Sequence, residues 1–310
     1  MSDILQDALM RGLATEVLEQ LPTEYPILNG DVIALSNYGK NMWDDAISWT
    51  NSSMVANFIP TQNAPFSPSN YGTVAIVEEP KPLLIPIITE ACKVSFNHKY
   101  YKKMVQNGTI IDYYRQQLIA KVQAWDATLN NIILYGNPST ATPGLLTGSG
   151  IPLISSSVDL KGAPSEAVIN EIIRIATTPS NNSNNIFKPS KIALPQDLWN
   201  ILNRRSYSTQ IADTLLKVIL DRLNTSAGYN RPEDPKFTVV AVPQFNSNQL
   251  MTVLPTDPDQ IGAAVYDLEE FDSPDNSEPA GTQLASSHTG GYAGVICKRP
   301  GSGVIATLTY

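Results

Sequence analysis

Apolar side chains at Ile4, Leu5, Ala8, Leu9, Leu13, Val17, Leu18 and Leu21 recur at the spacing of one helix face, and the run stops at Pro22. A helix over residues 3–21 is predicted, ended where proline cannot continue it. From 22 to about 65 the pattern breaks up, with short strand-like pieces such as 31–35. Two β-type runs follow, 71–77 and 83–96, joined by Glu78-Glu79-Pro80-Lys81-Pro82. Two prolines in that connector disfavour a tight hairpin and favour an open tip. Pro86 marks the second run as an edge strand or an interrupted one. Together the runs predict a long, projecting two-stranded arm. Two strands bury too little to be stable alone, so the arm is expected to lie on something else.

The clearest periodicity comes next. Thr109 and Asp112 have the spacing that opens a capping box. Apolar residues then recur at Ile111, Tyr114, Leu118, Val122, Trp125, Leu129 and Ile132 or Ile133, until Gly136-Asn137-Pro138 ends the run. About 27 residues at 1.5 Å each give a rod of roughly 40 Å. A turn-rich stretch, 136–152, leads into an α/β-like region. Helices are predicted at 165–176, 195–203 and 211–223, with a Ser/Asn linker at 178–185 and strands at 191–194, 237–242 and 250–254. An acidic connection spans 260–278, and strand-like stretches lie at 293–298 and 304–310.

Composition narrows the function classes. The chain has 310 residues, of which 42% are hydrophobic and 16% charged, below the roughly 25% charge of ordinary soluble domains. A surface short of charge suits a protein that hides much of it against neighbours. The net charge of −8 argues against tight, sequence-independent nucleic-acid binding. No apolar run is long enough to span a membrane, and residues 1–21 lack the features of a signal peptide. Cys92 and Cys297 are too few for a disulfide framework or a thiolate metal site. The four N-x-S/T sequons, at Asn51, Asn107, Asn181 and Asn224, carry no weight without a secretory route. Residues 1–60 hold eight Asp/Glu against two Lys/Arg, whereas Lys99, Lys102 and Lys103 cluster beside the start of the long helix. Contact between these oppositely charged regions, within or between subunits, is one expectation.

Candidate chemistry is thin. His98 lies among lysines and tyrosines, and His288 in Ser-Ser-His-Thr-Gly-Gly, read as a loop. A triad with Ser286 or Ser287 lacks the Gly-x-Ser-x-Gly elbow that exposes a nucleophile. Gly148, Gly150, Gly290, Gly291 and Gly294 form no phosphate-binding motif and read as turn positions needing positive φ. Six carboxylates between Asp267 and Glu278 lack the spacing of a calcium loop and read as a solvated connection. No catalytic, cofactor-binding or metal site is assigned.

The order of elements, an N-terminal arm, a projecting loop, one very long helix, an α/β middle and returning strands, resembles the Hong Kong 97 fold of tailed-phage major capsid proteins and encapsulin shells. The text of residues 124–153, AWDATLNNIILYGNPSTATPGLLTGSGIPL, is similar to that family's junction after its spine helix, with Gly144-Leu145-Leu146 as the step. KIALPQDLWNILNRR (191–205) resembles its strand-Pro-helix step, and GGYAGVICKRPGSGVIATL (290–308) its closing strands. The resemblance implies an α+β chain divided into an N-terminal arm (1–65), an E-loop (66–108), a P domain with spine helix (109–145), an A domain (146–261) and a return to the P domain with C-terminal strands (262–310).

It further implies a non-enzymatic shell subunit that assembles with itself into hexamers and pentamers around double-stranded DNA. Portal, scaffolding and decoration proteins are implied as further partners, without cofactor or membrane. Residues 1–65 are too few for a cleaved scaffolding domain, so a separate scaffolding protein, or none, is expected. Tyr71, Glu78, Glu79, Lys81, Lys99, Lys102 and Lys103 are the expected contacts between subunits. Tyr114, Leu118, Val122, Trp125 and Leu129 form the expected spine. Some relatives cross-link Lys to Asn. Lys81 is the candidate by position, but no matching Asn is identified and the chemistry is not carried over. Two other readings are an encapsulin-type compartment and a soluble hydrolase using His288.

Overall fold

The computed structural model describes residues 25–51, 57–58, 74–75, 81–97, 110–208, 213–226, 229, 231–245, 250–271 and 283–309, so the expected helix over 3–21 lies outside them. In chain order the elements are β1 (Ala34–Leu35), β2 (Ala46–Asn51), β3 (Asn57–Phe58), β4 (Val74–Ala75), β5 (Lys81–Pro86), β6 (Ile88–Asn97) and α1 (Ile110–Tyr135). They continue with β7 (Leu153–Asp159), α2 (Ser165–Asn182), β8 (Lys191–Pro195), α3 (Gln196–Arg204) and α4 (Leu215–Thr225). The last five strands are β9 (Thr238–Val242), β10 (Leu250–Leu254), β11 (Ile261–Phe271), β12 (Gln283–Cys297) and β13 (Val304–Thr309).

The chain builds two larger sheets. One has the order β1-β11-β12-β6, antiparallel except where β1 joins β11. The other has the order β7-β13-β10-β8-β9, with β7 parallel to β13 and β8 parallel to β9. Helices α2, α3 and α4 bury an apolar face against the second sheet. Val168, Ile169, Ile172 and Ile175 of α2 join Leu198 and Leu202 of α3, Leu215, Ile219 and Leu223 of α4, and the sheet's Ile192, Leu194, Met251, Val253 and Val304. Full burial of each such side chain contributes about 1.5–3 kcal/mol, which makes this region self-supporting.

Helix α1 contains neither glycine nor proline over 26 residues, so nothing breaks its backbone ladder before Gly136. It lies across the first sheet, where Trp125, Leu129 and Ile132 pack with Tyr292 of β12.

The expected arm, 71–77 paired with 83–96, is not found among the described residues. The run 83–96 is divided at Ile87: β5 pairs antiparallel with β2, Ala46 opposite Pro86 and Asn51 opposite Lys81, while β6 pairs with β12. Pro86 has no N–H for a ladder, so the strand is interrupted there and its two parts join different sheets. Residues Val74 and Ala75, in the first run, pair with Asn57 and Phe58 instead.

Three further expectations are corrected. Helix α2 runs past 176 to Asn182, through Pro179, because its last turn is held by tertiary contacts. Buried Ser180 Oγ meets the Tyr229 hydroxyl at 2.6 Å and donates to the Phe187 carbonyl at 2.8 Å. Helix α4 begins at Leu215, after Thr214, whose side chain accepts a hydrogen bond from the Lys217 amide. The acidic stretch contains β11 rather than only a solvated connection. Asp267 and Glu269 alternate with half-buried Leu268, so the carboxylates ride the outer face of a strand whose other face packs inward.

Candidate assembly interface

One face of α1 carries Lys121, Trp125, Leu129 and Ile132, all buried. Val122 lies on another side of the helix and is 42% exposed, so Lys121 and not Val122 occupies the inward position of that turn. Tyr114 and Leu118 lie in α1, but their side chains fall outside the described residues. Trp125 explains a glycine. A Cβ added to Gly290 would meet the indole at 2.5 Å, so only a bare backbone lets the ring approach the sheet. Gly291 is similarly crowded, by Met42 at 2.9 Å. Neither has positive φ, whereas Gly148, Gly150 and Gly294 do. The expected positive φ therefore occurs at three of the five positions, but Gly294 takes it at an irregularity inside β12 and not in a turn.

His288 is the second correction at this face. It sits inside β12, opposite Cys92 and Glu270 in register, and is buried with its Nδ1 2.6 Å from Lys121 Nζ. Its predicted loop is a strand, because β11 and β6 pair with it on both sides. The imidazole therefore ties the sheet to α1. Two residues from Gly290, fully buried Tyr292 donates a hydrogen bond to Glu90 Oε1 at 2.7 Å and accepts one from Asn137 Nδ2 at 3.1 Å. Burial, then the Glu90 carboxylate, pushes the Tyr292 hydroxyl pKa up. This hydroxyl joins β6, β12 and the turn after α1.

The far end of α1 is closed with unusual completeness. A helix normally leaves its last four carbonyls without internal partners. Here the Gly136 amide donates to Ile132, Leu145 to Ile133 and Leu146 to Leu134, at 2.7–2.8 Å, and Thr147 Oγ1 donates to Tyr135 at 2.7 Å. The Gly144-Leu145-Leu146 step noted in the sequence is thus the cap. It works because two backbones nearly touch: a Cβ on Gly144 would lie 2.1 Å from the Gly136 nitrogen. Gly136, at φ +72°, takes the left-handed conformation that ends a helix. The capped end enters a core shared by Ile133, Leu134 and Leu145 with Ile27, Val32 and Ile33.

The surface around this frame is apolar in several places. Trp43 is 60% exposed and Leu84, on β5, 68%. Leu153 on β7 and Ile186 after α2 are also exposed. By contrast, charge is organised on the helical side of the second sheet. Arg222 donates two hydrogen bonds to Glu166, which also accepts one from Tyr207, and the guanidinium holds the Glu166 carboxyl below its ordinary value. Lys191 donates to the Gly30 carbonyl at 2.5 Å, and its burial lowers its pKa.

The expected contact residues Tyr71, Glu78, Glu79, Lys99, Lys102 and Lys103 lie outside the described residues. Lys81 begins β5, opposite Asn51. The exposed Trp43 and Leu84 were not singled out in the sequence, where no periodicity separates an outward apolar residue from an inward one. Among the described residues no group of three His, Cys, Asp or Glu side chains is placed to hold a metal, and no helix is long and apolar enough to cross a membrane.

A family model described as major capsid protein matches residues 84–249, more than half of the 310-residue chain. This chain belongs to the major capsid protein family. The capsid protein is also similar in fold to solved shells. For the capsid of Myoviridae phage XM1 the TM-score is 0.70 at 14% identity, with 93% of each chain covered. For the capsid of the native GTA particle it is 0.61 at 9% identity, covering 94% of this chain and 93% of that one. For Mycobacterium phage Adephagia it is 0.58 at 10% identity, covering 95% and 93%. No curated protein matches the sequence. The capsid protein therefore has the α+β Hong Kong 97-like fold.

Proposed function

We propose that this capsid protein forms the wall of an icosahedral tailed-phage head, assembling as hexamers and pentamers around double-stranded DNA, in a role without catalysis. It would be made and assembled in the host cytoplasm and end in the virion. The observation that carries the reading is the β2–β5 ribbon. Two paired strands bury too little to stand alone; the inner face of this pair rests on its own subunit, where Ile47 packs with Ala264, Ala293 and Ile296, while Leu84 on the outer face is left 68% exposed. A neighbouring copy against that outer face supplies the missing burial, within the roughly 2,000 Å² or more typical of permanent assemblies.

In this reading residues 1–65 form the N-terminal arm, 66–108 the E-loop, 109–145 and 262–310 the P domain, and 146–261 the A domain. Tyr71, Glu78, Glu79, Lys81, Lys99, Lys102 and Lys103 meet neighbouring copies. A net charge of −8 disfavours tight binding to the packaged genome. Portal, scaffolding and decoration proteins are the remaining partners.

Electron microscopy of the purified protein tests this. Wild-type chain is expected to form shells, rings or tubes, and Leu84→Asp to lower their yield at least tenfold while the circular dichroism spectrum stays that of the wild type. A wild-type chain that stays monomeric under all conditions, or a Leu84→Asp chain that assembles normally, overturns the reading.

A further inference from the structure

The two edges of the second sheet are finished differently. At one, β7 pairs with β13 through a shift of register between Thr307 and Thr309, and its outward carbonyl at Ser155 accepts a hydrogen bond from Arg174. Bulges and charged side chains are the usual means of keeping an edge strand from adding another. At the other edge, β9 runs beside β8 in unbroken register over Thr238–Val242. Its five residues, Thr-Val-Val-Ala-Val, include no charge, proline or glycine, and Val239, Val240 and Ala241 are only half-buried. The Thr238 amide donates to the Ser190 carbonyl at 2.8 Å, so residues 238, 240 and 242 turn their backbone groups to β8. Val239 and Ala241 turn theirs outward. Among the described residues nothing hydrogen-bonds to these outward groups. The row of donors ends there. The next amide on one side, that of Phe237, donates to Asn224 Oδ1 at 2.8 Å, and residue 243 on the other side is proline.

We infer that β9 is an interface strand, which pairs antiparallel with β9 of a second copy of this chain across a twofold axis through Val240. The strand selects its own copy because it is complementary to itself in a single register. Centred on Val240, the pair sets Val239 opposite the partner's Ala241 and Ala241 opposite the partner's Val239. Every outward amide then meets an outward carbonyl. Sliding the strands by two residues leaves the carbonyl of Ala241 or of Val239 opposite a nitrogen that cannot donate, that of Phe237 or Pro243. Charge agrees with the centred register. Lys236 stands opposite the partner's Gln244 and not opposite its own copy, so no like charges meet across the ladder. The pairing merges two sheets into one and leaves neither β9 as an edge. A twofold contact is not the rotation that closes a hexamer or pentamer. This pairing therefore joins one ring to another, or makes a dimer before rings form, and it stands independently of the head-wall reading.

Disulfide trapping in the full-length chain tests the register. In a directly opposed pair without ladder bonds the Cα atoms lie about 4.5 Å apart, within disulfide reach. Position 238 of one copy faces 242 of the other, so the two copies of 238 lie about 13 Å apart along the strands. Under mild oxidation Val240→Cys is expected to give a covalent dimer on a non-reducing denaturing gel, with peptide mapping to separate its bond from those of Cys92 and Cys297. Thr238→Cys is expected to cross-link to itself at least tenfold less. Adding Ala241→Pro removes one outward amide and none that faces β8. It is expected to lower the Val240→Cys dimer at least tenfold while the circular dichroism spectrum is retained. The absence of a bond between the two copies of position 240 overturns the inference. So does equal cross-linking from Thr238→Cys, or a dimer yield that Ala241→Pro leaves unchanged.

Discussion

The two halves of this molecule hold together by different means. Around the second sheet, α2, α3 and α4 bury a broad set of Leu and Ile side chains, and the outer surface is laced with ion pairs such as Arg222–Glu166. Around α1 and the first sheet, two of the apolar clusters are small, one of Trp125, Leu129, Ile132 and Tyr292 and another of Ile47, Ile87, Ala264, Ala293 and Ile296, and the larger one, with Ile133, Leu134, Ile261 and Val295, is shared with Ala193, Leu254 and Ile305 of the second sheet. There the fit depends on close approach, with Gly290 under Trp125 and Gly144 against Gly136. A region with a deep core needs nothing else to fold. A region built from a rod, a long sheet and a ribbon leaves apolar side chains such as Leu84 exposed.

Ways to break this contrast follow in order of size. Ile172→Ala, in the deep core, is expected to cost about 4 kcal/mol, the sum of lost transfer energy and a cavity that rigid neighbours do not fill. Urea unfolding of the purified chain measures it, and a cost under about 1 kcal/mol denies that the core is tightly packed. Gly290→Ala is expected to cost about 1–3 kcal/mol, because the methyl displaces the Trp125 ring. Its mark is a shift in tryptophan fluorescence with the second sheet's stability retained. An unchanged spectrum removes the close-approach argument.

The smallest effect depends on pH. Glu171 accepts two hydrogen bonds from Arg174, both at 2.8 Å, and that guanidinium lowers its pKa below the ordinary 4.5. A carboxylate with a depressed folded-state pKa contributes stability that is full above about pH 4.5 and is lost as pH falls through the lower value. Since Arg174 is half exposed, Glu171→Gln is expected to cost under about 1 kcal/mol at neutral pH. The difference from wild type should vanish in acid. A gap that persists at about pH 2 assigns the loss to packing instead.

Much of this architecture was legible in the amino-acid order. The 3.6-residue period marked α1 within a residue of its observed ends, because a long uninterrupted helix needs no outside help to declare itself. Strands β8 and β10 and helix α3 were equally plain. What failed were decisions made by partners distant in the chain. Pro86 signalled an interruption, but nothing local says that β5 turns to β2 and β6 to β12. The serines and His288 read as a loop because their partners in register, 92–94 and 270–271, are far away in sequence. Lys121 yields to Val122 in any reading of periodicity alone, since a lysine facing inward is intelligible only once His288 is beside it. The glycines at 290 and 291 looked like turns for the same reason: the ring and side chain that forbid a Cβ come from elsewhere.

The position of β13 has a consequence for how the subunit is made. This strand, residues 304–309, lies inside its sheet, flanked by β7 and β10, and its Val304, Ala306 and Leu308 belong to the deep core. Translation at roughly 5–20 residues per second takes tens of seconds to reach it. Until then the five-stranded sheet is split in two, with β7 on one side and β10, β8 and β9 on the other. Chains growing side by side on one messenger therefore lack a finished five-stranded sheet when their β2 and β5 have already been made.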